Sequence, residues 1–163
     1  QSAWDTAIFL VLLDRPAYVL KRELLRIPLW GWYLWRMGMI AIDRSAGASA
    51  IKQMIRDCKA RLADGRTIVI YPEGTRTRPG ATPTYQPGVV ALYNQLGVPV
   101  VPVALNSGVC WGKNAFIKRP GHITIRFLPP MAPGSPKNEF LPQLQTAIER
   151  ETAQLLSHIK EPS

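Results

Sequence analysis

Thr67-Ile68-Val69-Ile70-Tyr71-Pro72-Glu73-Gly74-Thr75-Arg76 is the stretch of the 163-residue chain from which its fold is best read. A run rich in β-branched residues is stopped by a proline, and an acid, a glycine, a hydroxyl and an arginine follow. Such a run predicts a strand of the buried, parallel-sheet type. Open α/β sheets bind ligands beyond the carboxyl ends of their strands, which is where Glu73–Arg76 would emerge. Gly74 permits close backbone approach, Thr75 offers a hydroxyl, and Arg76 offers a planar fork matched to phosphate oxygens. The same spacing equally suits a turn in which Glu73 and Arg76 merely pair with each other.

Working outward, Ile51, Met54, Ile55, Cys58 and Leu62 recur at helical spacing, and Asp64-Gly65 ends that helix. A short helix is expected around Trp4–Leu13, and strands at Tyr18–Leu20 and Gly38–Ile42. Beyond the proline- and glycine-rich loop, Val89–Leu96 reads as a helix stopped by Gly97. Val100–Leu105 and Ile123–Leu128 read as further strands, and Leu141, Leu144, Ile148, Leu155 and Ile159 mark a closing helix. Strand, helix and strand in this order predict an α/β fold, a largely parallel or mixed sheet covered by helices. With no repeat and no long linker, residues 1–163 are expected to form one domain.

The chain carries 20 Lys and Arg against 11 Asp and Glu, a formal net charge of +9. Residues 15–78 hold 13 basic and 5 acidic residues, and no acid occurs from Pro79 to Asn138. Such a field suits a polyanionic partner: nucleic acid, anionic lipid or a phosphorylated substrate. No nucleic-acid motif is present, so nucleic acid is not expected as the partner. Ala7–Leu13, the longest early apolar run, falls far short of the ~20 residues a membrane span needs. Cys58 and Cys110 form no CxxC, so neither a disulfide framework nor a zinc site is expected, and a reducing cytosol is the simpler home. Trp30, Trp32, Tyr33 and Trp35 mix with Arg22, Arg26 and Arg36, a composition suited to a lipid–water interface. These aromatics would serve as well to fill a core beneath the sheet.

Several blocks, taken in order, carry a family likeness. Tyr71–Arg76 (YPEGTR) resembles the F-P-E-G-T-R block of the 1-acylglycerol-3-phosphate acyltransferases, within the glycerolipid acyltransferase superfamily. Gly38-Met39-Ile40-Ala41-Ile42-Asp43-Arg44 is similar to the block in which a glycine and apolar residues precede an arginine. Val98-Pro99-Val100-Val101-Pro102-Val103 matches V-P-x-x-P-V, and Lys21-Arg22-Glu23-Leu24 with Pro28 and Gly31-Trp32 resembles K-x-E-L...P...G-W. The likeness extends from the first residues to about Ser107.

The resemblance implies transfer of an acyl chain from a thioester to the free hydroxyl of 1-acylglycerol-3-phosphate, giving phosphatidic acid. Arg44 and Arg76 would hold the acceptor phosphate, with Glu73, Gly74 and Thr75 shaping the site and Lys21 assisting. Asp5 would be the aspartate of H-x-x-x-x-D, orienting a histidine general base. That histidine would fall just before Gln1, so the chain is expected to be truncated at its N-terminus and impaired as it stands. Taken alone, Asp5 is equally a helix-start acid favoured by the helix dipole. His122 and His158 have no aspartate at the right spacing, and are expected to be structural or solvated. No cofactor or metal is implied; acyl-CoA or acyl carrier protein would be the donor substrate. The expected partners are a lysophospholipid, that donor and a membrane surface, on the cytoplasmic face, with any anchor lying in other segments. No G-x-S-x-G is present to suggest an acyl-enzyme hydrolase. Alternatives are another lysophospholipid or glycerol-3-phosphate as acceptor, or a non-catalytic module that binds anionic lipid.

Overall fold

A computed structural model of the chain describes residues 2–81, 83–112 and 116–157, with the side chain of Lys137 excepted. In chain order the elements are α1 (Trp4–Leu12), β1 (Ala17–Lys21), a 3-10 turn (Arg22–Arg26), α2 (Trp30–Arg36), β2 (Ile40–Ile42) and a second 3-10 turn (Arg44–Ala46). α3 (Gly47–Ala63), β3 (Ile68–Val69), α4 (Pro87–Leu96), β4 (Val103–Leu105), α5 (Ser107–Cys110), β5 (Ile125–Phe127) and α6 (Lys137–Ser157) complete the order. They belong to two compact units, residues 9–72 and residues 1–8 with 73–163.

In the unit of residues 9–72, β1 is the central strand and pairs in parallel with β2 on one side and β3 on the other. The α/β reading is thereby realised, with α2 and α3 as the crossovers a parallel sheet requires. α3 packs on β2 and β3. Its apolar stripe buries Ala50, Met54 and Cys58, against a core that includes Tyr18, Leu34, Met39 and Ile40. Gly65, at φ +71°, takes the left-handed turn that ends the helix. β3 is shorter than the run Thr67–Tyr71 and only half-buried, because it holds the outer position of this three-stranded sheet.

In the other unit, β4 and β5 pair antiparallel, with Val103 opposite Phe127 and Leu105 opposite Ile125. The expected strand from Val100 is cut to Val103–Leu105; Val100 forms a separate bridge to Met131, and Pro102, which has no N–H to donate, lies between. α4 begins with Pro87 in its first turn and stops at Gly97, φ +62°. α6 packs on α4 and β4. It buries Phe140, Leu144 and Leu155, and the Phe140 ring stacks on Tyr93 with centroids 3.6 Å apart. Arg126 of β5 donates to Glu151 of α6 at 2.7 Å, which holds that carboxyl below its ordinary range. Cys58 and Cys110 are both free and buried.

Candidate functional site

The parallel register sets the carboxyl edge of the sheet in residues 9–72. Lys21, the last residue of β1, is level with Ile42, the last of β2, so Arg44 begins two residues beyond that edge. Both side chains are exposed. Asp43 shapes the turn that presents Arg44 by accepting from the Ser45 N–H at 3.0 Å. These Ser45 hydrogen bonds, with Arg22 and Arg26 nearby, hold the Asp43 carboxyl below the ordinary carboxylate range. Arg22 stands 3.8 Å from it as an ion pair. Arg22 and Arg26 therefore add positive charge at the edge where Lys21 and Arg44 emerge. After β3 the chain runs through Tyr71, whose ring lies parallel to that of buried Tyr18 at 6.4 Å, and then into Glu73.

In the other unit, Glu73 accepts a hydrogen bond from the Thr77 hydroxyl at 3.0 Å, closing the loop around Gly74–Arg76. Gly74 sits at φ +68°, a conformation that costs a side-chain-bearing residue about 1 kcal/mol or more. Thr75 and Arg76 are exposed, and Arg76 forms no ion pair among the described residues. The alternative turn, with Glu73 and Arg76 paired, is not the one formed. The guanidinium is left available to an anion. Arg126 and Arg150 present a contrast: they line an open cleft of about 540 Å³ beside α6, but both pair with Glu151, at 2.7 and 3.3 Å.

Asp5 is 1% exposed in the first turn of α1. It accepts from the Ser2 N–H at 2.7 Å while the Ser2 hydroxyl accepts from the Trp4 N–H at 3.2 Å, a reciprocal capping box. The helix-start role weighed for Asp5 is thus present in the structure. His122 is exposed ahead of β5, not at a strand start, and has no carboxylate partner among the described residues. His158 lies outside the described residues.

Sequence periodicity missed the groups behind Glu73. Tyr85 is buried and donates its hydroxyl to Glu149 of α6 at 3.1 Å. Gln145, one helical turn earlier, donates to the Pro83 carbonyl at 3.0 Å. Partial burial, together with the charge of Glu73, raises the Glu149 carboxyl above its ordinary value, and the Tyr85 hydrogen bond offsets part of that rise. Tyr85 is raised as well, first by burial and then by Glu149. The only signal available was an acid and a glutamine four residues apart on a helix, a pattern shared by many solvated helices.

The aromatic segment is resolved in one direction. Trp30, Trp32, Tyr33 and Trp35 are all exposed, Trp32 at 63% and Trp35 at 66%, while Gly31 and Leu34 form the buried face of α2. The core-filling alternative for these four rings is therefore set aside. Among the described residues no helix is long and apolar enough to cross a membrane.

A parallel sheet with helical crossovers, and basic side chains beyond its carboxyl edge, define an α/β protein. The family described as Acyltransferase matches residues 1–106, and the chain belongs to it. The 1-acyl-sn-glycerol-3-phosphate acyltransferase of Pseudomonas aeruginosa is 39% identical over 131 residues, 80% of this chain and 51% of that protein. The enzyme of the same name from Limnanthes douglasii is 35% identical, covering 69% of this chain and 41% of its own length. The alpha form from Mus musculus is 30% identical, over 85% of this chain and 49% of its own. The chain thus spans about half the length of the curated relatives it matches. The crystal structure of the 1-acyl-sn-glycerophosphate (LPA) acyltransferase PlsC from Thermotoga maritima covers 100% of this chain, with 65% of its own length matched, 23% identity and a TM-score of 0.75. The fold is the one seen in that structure.

Proposed function

We propose that residues 1–163 form one acyltransferase domain that passes an acyl chain from a thioester to the free hydroxyl of 1-acylglycerol-3-phosphate, giving phosphatidic acid. The observation that carries this reading is Arg76, exposed and without an ion pair among the described residues, on the loop that follows β3. The names of the relatives support it. Arg76 and Arg44 take the acceptor phosphate through charge-assisted hydrogen bonds, with Lys21 adding charge and Gly74 and Thr75 offering close backbone and hydroxyl contact. Glu73 holds the loop through Thr77. Asp5 orients the histidine base that the H-x-x-x-x-D resemblance implies, and that base takes the proton from the acceptor hydroxyl. The oxygen attacks the thioester carbonyl, the C–S bond breaks, and the thiolate leaves and takes up a proton.

The donor is acyl-CoA or acyl carrier protein; an acidic carrier would be drawn by the net positive charge. The enzyme works at the cytoplasmic face of the membrane. Support comes from the exposed Trp30, Trp32, Tyr33 and Trp35, with Arg22, Arg26 and Arg36 on the same short segment.

The test is an assay of the full-length protein with both donors against 1-acylglycerol-3-phosphate, other lysophospholipids and glycerol-3-phosphate. The highest kcat/KM is expected with 1-acylglycerol-3-phosphate. Higher efficiency with another acceptor would reassign the substrate. Absence of transfer to every acceptor, with binding to anionic vesicles retained, would leave a non-catalytic lipid-binding module.

A further inference from the structure

The loop between β3 and α4 has the composition of a mobile segment, with prolines at 72, 79 and 83 and glycines at 74 and 80. It is nevertheless tied to α6 at two points on one helix face, Gln145 to the Pro83 carbonyl and Glu149 to the Tyr85 hydroxyl. Tyr85 is 5% exposed although it sits in a loop. Glu73 lies near enough for its charge to act on both Tyr85 and Glu149. The loop that carries the exposed Arg76 is therefore also joined to a carboxylate, phenol and carboxylate set, Glu73, Tyr85 and Glu149.

We propose that Tyr85 and Glu149 are positioning residues for the Glu73–Arg76 loop, with α6 acting as a clamp that fixes where the loop presents Arg76. The inference rests on the reading of that loop as the acceptor-phosphate site. Neither residue touches substrate; each acts through Glu73 and the loop backbone. The clamp is also sensitive to protons. When Glu149 is protonated it is not repelled by Glu73, and when it ionises its charge is opposed by that of Glu73. The sign follows from the direction of the Glu149 shift: an acid raised in the folded chain contributes stability that is complete below its unfolded value. That contribution is lost as pH rises through the raised value. Ionisation of Glu149 thus acts on the loop in two opposed ways, strengthening the Tyr85 hydrogen bond and adding repulsion from Glu73. Of the elements that meet α6, α4 and β4 contribute only Tyr93 as a titratable side chain, and β5 contributes Arg126, which pairs with Glu151. Tyr93 is committed to Ala132 and Ser135.

The experiment follows the amide resonances of Gly74, Thr75 and Thr77 in the full-length protein through a pH titration, in wild type, Glu149→Gln and Tyr85→Phe. In wild type these amides should report an ionisation above the ordinary carboxylate range. Glu149→Gln, which keeps an acceptor for Tyr85, should abolish it. Tyr85→Phe keeps the ring but removes the hydrogen bond that favours the carboxylate, so the ionisation should move to higher pH. In acyl transfer, Tyr85→Phe should raise the acceptor KM by roughly threefold to tenfold, the loss of one hydrogen bond, with kcat retained. An unchanged titration in Glu149→Gln, or an unshifted one in Tyr85→Phe, would overturn the clamp. The amide titration reads the coupling whether or not the protein transfers acyl groups. A titration that behaves as described in a protein forming no phosphatidic acid would support the clamp and count against the acceptor reading alone.

Discussion

Arg66 donates to three backbone carbonyls, those of Arg15, Pro16 and Gly38, at 3.1, 2.8 and 3.2 Å. It thereby joins the entrance of β1 to the residues that lead into β2, while its own backbone leads into β3. Gly38 is part of the arrangement: at φ +67° it takes a left-handed turn, and a Cβ there would overlap the Arg66 guanidinium. Replacing Arg66 by Met keeps the stem and removes all five donors. The loss should be about 1–2 kcal/mol, since one of the three bonds is exposed and two are part-buried, and should appear as a lower urea midpoint with an unchanged slope. An unaltered midpoint would mean that water replaces the guanidinium without loss. Residues of this kind are where sequence reading stops. Glu73–Arg76 was legible because one short stretch carries strand, stop and anion-binding chemistry together. Arg66 with Gly38, and Glu73 with Tyr85 and Glu149, join positions tens of residues apart, and no local periodicity encodes which arginine or acid will meet which partner.

The segment from the first 3-10 turn through α2 behaves differently from the other elements. Gly31 packs against the turn so closely that a Cβ would overlap the Leu25 backbone, which fixes how α2 leans on it. Leu29 sits at φ +63° and ψ −50°, and the Trp30 N–H bonds the Pro28 carbonyl at 2.7 Å, the geometry of a strained γ-turn. The result is an ordered element whose buried face is small and whose aromatic face is open. Leu29 itself is 85% exposed. Composition announced aromatics among arginines but not their direction, because core and interface draw on the same residue types. Burial separates the two. Replacing Trp30, Trp32 and Trp35 together by Ser should change the unfolding free energy by no more than about 0.5 kcal/mol per site in urea titration, as for exposed positions. It should remove binding to anionic vesicles in a co-sedimentation assay. Retained vesicle binding would send the membrane contact to another face. Strand ends show a milder form of the same limit, since β3 and β4 came out shorter than their apolar runs. A run reports apolar character, whereas ladder hydrogen bonds depend on partner register and on prolines such as Pro102.

For the molecule as a whole, the parallel set β2-β1-β3 and its crossovers were readable from the alternation of strand and helix signals. The antiparallel β4 and β5 pair was not readable, because strand direction depends on how the chain returns between residues 105 and 125. The +9 charge likewise has a finer structure than its total. Arg126 and Arg150 share the one carboxylate of Glu151, and Arg22 stands beside Asp43, whereas Arg76 forms no ion pair among the described residues. The central claim is that this open guanidinium holds the acceptor phosphate during acyl transfer. Steady-state kinetics of full-length Arg76→Lys, with acceptor and thioester varied separately, test it most directly. A lysine keeps the charge but not the planar fork, so the acceptor KM should rise by about tenfold or more, near 1.4 kcal/mol, while the thioester KM stays unchanged. An acceptor KM equal to that of the wild type would contradict the claim.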